Sequence, residues 1–484
     1  MTNTTVLNKA ADNIRILAAS MVEKAKSGHP GGAMGGADFV NTLFAEFLVY
    51  DPSDPKWINR DRFFLDPGHM SPMLYSVLAL TGKFTLDELK QFRQWGSPTP
   101  GHPEVDVMRG IENTSGPLGQ GHAMAVGAAI AERFLVARFG DWMAHKTYAF
   151  ISDGGIQEEI SQGAGRIAGY LGLNNLIMFY DSNDIQLSTD TDAVTKEDTA
   201  AKYRAWGWNV LEINGNDADA IRGALIEAGQ EQSRPTLIIG KTIMGKGVVT
   251  EEGQSYEGKC STHGQPLSAA GASFAKTIAH LGGNPDEPFA IFPEVEKLYA
   301  DRKAELLKVA ADRKAKQAAW EKENPELAVK LHQFFSGKAP EIDYKAIAQK
   351  PGIATRAASA NVLAVFAEQI ENMIVSSADL ANSDKTDGFL KKTHAFKSGD
   401  FTGAFLQAGV SELTMAAIMN GMMLHGGVIG ACGTFFVFSD YMKPAARMAA
   451  LMEVPVKYIW THDAFRVGED GPTHQPVEQE AQIR

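Results

Sequence analysis

Two histidines, His462 and His474, and three carboxylates, Asp463, Glu469 and Asp470, fall within the sixteen residues Thr461 to Pro476, around Gly468 and Gly471. No fold requires such a composition. The run follows the apolar segment Val454 to Trp460, so it reads as a loop at the carboxyl end of a strand, where open α/β sheets bind ligands. Its histidines titrate near neutral pH and its turns are set by Gly-Pro and Gln-Pro. This is material for proton transfer and for recognition of a polar ligand.

A second constellation begins at Asp153-Gly154, after the strand-like run Tyr148 to Ser152, and is answered 30 positions later by Asn183, after Leu176 to Tyr180. Two oxygen side chains at the ends of neighbouring strands can hold a hard octahedral cation and leave positions open for phosphate oxygens. The pairing reads as a magnesium diphosphate clamp, whereas either dipeptide alone reads as a plain turn. The run Gly116 to Gly121 precedes a helical pattern from Ala123 to Arg138; amides at a helix N-terminus suit a phosphate or a ring nitrogen. Glu412 precedes the helical run Met415 to Leu424 among apolar neighbours, where burial would raise its pKa. A helix-dipole role accounts for it equally well. Phe435, Phe438 and Tyr441 form either an aromatic pocket or ordinary core.

The elements that must hold these groups alternate. Strand-like runs at Tyr148 to Ser152, Leu176 to Tyr180, Trp208 to Ile213 and Thr236 to Lys241 are separated by helical patterns, which predicts a parallel sheet covered on both faces. From Glu294 to about Lys350 no strand is predicted, and Asp301 to Glu323 reads as an exposed helix leading into a linker. Alternation resumes with Met373 to Ser377, His425 to Cys432 and Val456 to Trp460. With 484 residues, 44% apolar and 21% charged, the chain is globular and long enough for two or three domains. A net charge of −12 argues against nucleic acid as a partner. No apolar stretch reaches the roughly 18 residues of a membrane span, and no signal sequence opens the chain, so the expected compartment is the cytoplasm. Two cysteines, Cys260 and Cys432, build neither a disulfide framework nor a zinc site.

Nine islands in order resemble transketolases: Ser27-Gly28-His29-Pro30-Gly31-Gly32, Pro67-Gly68-His69, Pro100 to Glu104, Gly116 to Gly121, Ser261 to Gly264, Ala354-Thr355-Arg356, Ser377 to Leu380, Val410-Ser411-Glu412 and the His462 loop. The resemblance implies two doubly wound parallel-sheet domains of the thiamine diphosphate-binding type: a diphosphate- and metal-binding domain over residues 1–290, a helical linker over 291–351, and a pyrimidine-binding domain over 352–484. Transketolases continue beyond this point, so the second domain is expected to lack its closing elements and the third domain to be absent. Whether the chain is a fragment or one of two polypeptides stays open.

The implied reaction moves a two-carbon ketol unit from a ketose phosphate such as xylulose 5-phosphate to ribose 5-phosphate or erythrose 4-phosphate. The implied cofactors are thiamine diphosphate and Mg2+ or Ca2+, and the implied assembly is a homodimer with sites shared between subunits. The metal ligands would be Asp153, Asn183 and the Ile185 carbonyl, with Ser152 standing where the family usually has glycine. His69, Gly116, Pro117, Leu118, Gly154, His263 and Leu380 would touch the cofactor, and Glu158 would lie at the dimer contact. Glu412 would protonate the aminopyrimidine, and Phe435, Phe438 and Tyr441 would pocket that ring. His29, His263 and His474 would surround the reacting carbonyl and hydroxyls, with His102 and Asp470 as further substrate contacts. Arg356, Ser383 and His462, with Arg466 beside them, suit a phosphate, arginine offering a planar fork. Six of the twelve histidines fall in these islands. Dihydroxyacetone synthase and 1-deoxyxylulose-5-phosphate synthase share the cofactor machinery; the second is disfavoured by His29, His102 and His263. A silent, dimerising fragment is the alternative of another class.

Overall fold

Residues 2–484 are described by a computed structural model. They form two compact units. The first takes the residues up to His122 together with His145–Glu158 and Leu176–Ala315; the second takes Ala123–Ala144, Glu159–Asn175 and Lys316–Arg484.

In the first unit five strands, β1 (Arg62–Leu65), β2 (Thr147–Ser152), β3 (Leu176–Ser182), β4 (Asn209–Asn214) and β5 (Thr236–Lys241), make one sheet in the order β1-β2-β3-β5-β4. All its pairings are parallel. Every residue of β1, β2 and β3 is buried, as expected of strands covered on both faces, whereas the edge strand β4 is only half-buried. The four runs expected here as strands appear to within two residues. β1 was not expected, because four residues that open on an arginine carry too little pattern; Arg62 is nonetheless buried, its guanidinium donating to the Arg60 carbonyl at 3.1 Å. Phe39 stacks on Phe179 at 4.0 Å and, with Phe150, fills the space over the middle of the sheet. Each such ring contributes about 1.5–3 kcal/mol by leaving water.

The helix expected to be exposed over Asp301 to Glu323 starts earlier, at Pro293, and is not exposed all round. Val295, Leu298, Tyr299, Arg302 and Leu306 recur every three to four residues and are buried, so one stripe belongs to the core despite a charge-rich composition. Tyr299 donates to Asn41 at 2.9 Å and Arg302 Nη2 to the Leu48 carbonyl at 3.0 Å, which ties the polar ends of that stripe to the first unit.

The second unit holds β6 (Met373–Ser377), β7 (Phe405–Gln407), β8 (Ile429–Phe435) and β9 (Lys457–Thr461), parallel throughout, in the order β7-β6-β8-β9. The strand read as His425 to Cys432 begins four residues later. His425 closes the helix Glu412–His425, and Gly426 and Gly427, at φ 82° and 81°, turn the chain in a conformation that side chains resist before β8 can start. Within this unit the Glu412–His425 helix crosses the residues around Gly127 without side chains between the backbones. A Cβ on Gly127 would strike the Ile418 carbonyl, and one on Gly421 would strike the Met124 carbonyl.

Candidate functional site

Asp153 opens the short helix Asp153–Gln157 at the carboxyl end of β2. The family's glycine is not needed at Ser152, whose backbone is extended (φ −104°, ψ 175°) and whose Oγ accepts from the Gly155 amide at 3.3 Å as an N-cap. Asp153 accepts from Tyr180 Oη at 2.5 Å and from the amides of Asn183 and Asp184, both at 3.1 Å. Asn183 donates to Asp181 at 3.0 Å, and its Oδ1 accepts from the Ile185 amide at 3.1 Å. The carboxylate and amide assigned to the clamp therefore face one small region, on a turn that puts Asp184 at φ 63°. Burial pushes Asp153 up to about 6, with Asp184 adding to the effect, and pushes the fully buried Asp181 up to about 7 against a hydrogen bond from Thr242. Such a set of hard oxygens, under mutual repulsion, fits a divalent cation. Among the described residues no group of three or more His, Cys, Asp or Glu could hold a metal, so at Asp153 the further oxygens would be those of the Asn183 amide, the Ile185 carbonyl and a ligand.

The Gly116 turn differs from its expectation. The helix that follows starts at Gln120, with Gly121 inside it, and the His122 amide in its first turn is already taken. The carboxylate of Asp66, one residue beyond β1, accepts from the Gly119 amide at 3.0 Å and the His122 amide at 3.1 Å. What remains for a ligand is Gly116 and Leu118, half-buried, and Pro117, exposed. A Cβ on Gly154 would lie 3.0 Å from Leu118 Cδ1, so Leu118 rests directly on the Asp153 turn. Glu158 is exposed at the end of the Asp153–Gln157 helix.

Three of the singled-out histidines meet. His29 precedes the helix Pro30–Gly35, His69 sits in a 3-10 turn after β1, and His263 lies in the turn Ser261–Gly264. Their ring centroids are 5.1 Å (His29–His69), 5.3 Å (His69–His263) and 5.8 Å (His29–His263) apart. Burial, then the neighbouring rings and Arg93, lowers His29 to about 4; burial first also lowers His69 and His263. His102, lowered by burial and then by Arg93, lies against the turn, its Cδ2 3.9 Å from where a Cβ on Gly116 would stand. All four are neutral at pH 7. The Nδ1 atoms of His29 and His263 are buried with no hydrogen-bond partner among the described residues, as groups reserved for a ligand would be.

In the second unit Glu412 is the first residue of its helix rather than preceding it, with Ser411 at the N-cap position. It is 9% exposed, burial raises its carboxyl, and Thr434 Oγ1 approaches at 3.5 Å. Phe435 stacks on Phe438 at 5.9 Å and on His462 at 3.7 Å, while the His474 ring meets Phe438 edge-on at 5.2 Å. Tyr441 reaches Phe438 at 6.0 Å but is 63% exposed. Arg356 Nη1 donates to the Ser383 carbonyl at 3.1 Å and contacts Ser383 Oγ at 3.5 Å and His462 Nε2 at 2.6 Å, so these three form one cluster. Asp384 holds the cluster's base, accepting from Ser377 and from the Thr386 side chain, both at 2.7 Å. Leu380 anchors the same turn through its amide, which donates to Ser377 Oγ at 3.2 Å. Burial, then the Arg356 guanidinium, lowers the His462 pKa, and the charge of the exposed Asp470 opposes them. Arg466 is not in the cluster; it is exposed, its guanidinium 5.9 Å from the Phe465 ring.

Comparison with known proteins places the chain in a family. Family models described as "Transketolase, thiamine diphosphate binding domain" and "Transketolase, pyrimidine binding domain" match residues 6–340 and 351–484. A transketolase of Geobacillus stearothermophilus is 43% identical over 98% of this chain and 71% of its own length. The chain belongs to the transketolase family. A chloroplastic transketolase of Arabidopsis thaliana is 42% identical over 100% of this chain and 66% of its own. A transketolase structure from Leishmania mexicana superposes with a TM-score of 0.93 at 37% identity, covering 100% of this chain and 72% of that one. One from Pichia stipitis, in complex with sedoheptulose 7-phosphate, gives 0.93 at 38% identity, covering 99% and 72%. This transketolase-family chain is a thiamine diphosphate enzyme that transfers ketol groups. Of the residues that sequence reasoning passed over, Asp66, Asp181, Asp384 and Thr434 hydrogen-bond another group, and Arg93 acts through its charge on His29 and His102. Asp66 directly precedes the Pro67-Gly68-His69 island, Asp181 lies two residues before Asn183, and Asp384 follows Ser383, so these three stood beside residues already singled out.

Proposed function

We propose that the chain transfers a two-carbon ketol unit from xylulose 5-phosphate to ribose 5-phosphate or erythrose 4-phosphate, using magnesium-bound thiamine diphosphate. The observation that carries the substrate class is the Arg356–Ser383–His462 cluster, a planar cation with a hydroxyl and a neutral imidazole that suits a sugar phosphate. Asp153, Asn183 and the Ile185 carbonyl would hold the cation and, through it, the diphosphate; Gly116 to Leu118, His69, Gly154 and Leu380 would line the cofactor. When bound, thiamine diphosphate supplies the nucleophilic carbon and the electron sink for the transferred unit. Glu412, whose carboxyl burial raises, would exchange a proton with a ring nitrogen of the pyrimidine, and Phe435, Phe438 and Tyr441 would flank that ring. His29, His102, His263 and His474, the first three held neutral, can each accept or donate a proton at a substrate hydroxyl or carbonyl, with Asp470 accepting a hydroxyl hydrogen bond.

The division into residues 1–290, 291–351 and 352–484 goes with this reading; family matches that part between 340 and 351 support its second boundary, while the first match runs on past residue 290. The diphosphate groups and Glu412 would complete each other's site in a closed two-fold homodimer, with Glu158 at the contact. Among the described residues no helix is long and apolar enough to cross a membrane, which fits a cytoplasmic enzyme.

The test is a steady-state assay with xylulose 5-phosphate and ribose 5-phosphate beside calorimetric titration of thiamine diphosphate with Mg2+. Asp153→Ala should abolish metal-dependent cofactor binding while circular dichroism stays unchanged; undiminished affinity would overturn the clamp. Sedimentation with cofactor present should give a dimer at micromolar concentration, and a monomer would refute the shared site.

A further inference from the structure

The carboxylate of Asp66 does what a phosphate was expected to do. It is fully buried and takes the amides of Gly119 and His122 at the start of the Gln120–Phe139 helix. Its own carbonyl accepts from Ser115 Oγ at 2.6 Å and from the Gly68 amide at 2.9 Å, and its amide continues the β1–β2 pairing by donating to Phe150 at 3.0 Å. Two glycines exist around it. A Cβ on Gly121 would stand 2.7 Å from Asp66 Cα, and one on Gly155 would collide with Asp66 Oδ2. Gly121 lies in the first turn of the helix that follows the glycine turn and Gly155 in the helix that Asp153 opens, so a single residue touches both walls of the diphosphate region.

We propose that Asp66 is a positioning residue for the cofactor: an internal anion that locks the Gly116–Leu118 turn against the Asp153 turn. Because the amides of Gly119 and His122 are spent on this carboxylate, the diphosphate is held by the Asp153 side of the site and not by the helix N-terminus. Without Asp66 those amides would be left buried and unpaired, and Gly119, at φ 81°, would have nothing to fix its turn. Leu118, which rests on Gly154, would lose its register with the metal ligands.

This rests on the cofactor assignment given above, and the experiment separates the two. Thiamine diphosphate with Mg2+ is titrated at pH 7.5 into the unaltered chain, Asp66→Ala, Asp66→Asn and Asp153→Ala, with melting temperatures and kinetics at saturating cofactor recorded alongside. Asp66→Ala should weaken cofactor binding at least tenfold, the loss expected from one charge-assisted hydrogen bond or more. Asp66→Asn, isosteric and still able to accept one amide, should fall between, and decides the case if Asp66→Ala does not fold. The Michaelis constant for xylulose 5-phosphate at saturating cofactor should stay unchanged. A lower melting temperature with unaltered cofactor affinity in both Asp66 variants, while Asp153→Ala loses binding, would overturn the proposal alone. Full affinity in Asp153→Ala would overturn the site assignment and this proposal with it.

Discussion

His122 is the buried group least matched to its surroundings. It is fully buried, and neither ring nitrogen has a hydrogen-bond partner among the described residues. Burial lowers it from 6.5 to about 3. In the unfolded chain the ring takes a proton below about pH 6.5, whereas the folded chain refuses it until about pH 3, so the unfolded state binds more protons across that window. Stability is therefore complete above pH 6.5 and lost as pH falls, by about 2 kcal/mol at pH 5 from this one residue. Asp66 and Asp153, raised to about 6, act in the opposite sense, since their contribution is present at low pH and lost as pH rises through 6. The comparison of the unaltered chain with His122→Leu isolates the histidine: urea midpoints should converge less at pH 5 than at pH 7.5, with the variant more resistant in acid. Equal pH dependence in the two chains would refute the neutral buried ring. His122 and Asp66 also show what a sequence hides. Arg356, Ser383 and His462 could be grouped through the family resemblance, and the structure brings them together without Arg466. Asp66 could not be, because its partners are backbone amides, which every residue but proline carries.

Elements were legible in proportion to their length. Strands of five to seven residues with unbroken apolar runs, such as β2, β3, β5 and β6, were read to within two residues, whereas β1 and β7, of four and three residues, fall below the length at which periodicity speaks. The start of β8 was misplaced because apolar residues run through the end of one helix into the next strand, and only the left-handed glycines between them mark the change. The crossing at Gly127 and Gly421 was invisible for another reason: its condition is what lies opposite. Gly127→Ala would drive a methyl group into the Ile418 carbonyl, with overpacking of roughly 1–3 kcal/mol or more outweighing the gain in helix propensity. It should lower the melting temperature by several degrees, whereas Gly223→Ala, in a helix where nothing lies within 4 Å of the new methyl, should not. Equal melting temperatures for the two variants would show that the crossing yields at no cost.

At the scale of the whole molecule the fold class was readable because a parallel sheet demands apolar strands separated by helices, a rhythm that survives in the bare sequence. The same demand governs how the chain reaches its structure. Leu65 pairs with Phe150 across 85 positions, and no hairpin brings them together. Such contacts must first overcome the closure entropy of a long loop, and topologies rich in them fold slowly. β1 is also the strand that delivers Asp66 and His69. Secondary structure should therefore return early after dilution from urea, while competence to bind thiamine diphosphate lags until β1 docks on β2. Stopped-flow circular dichroism read against cofactor capture would resolve the two phases. In a living cell the interval is an exposure time, during which an unjoined β2 edge offers itself to other chains; rapid synthesis of this polypeptide thus carries an aggregation hazard set by the order of its strands.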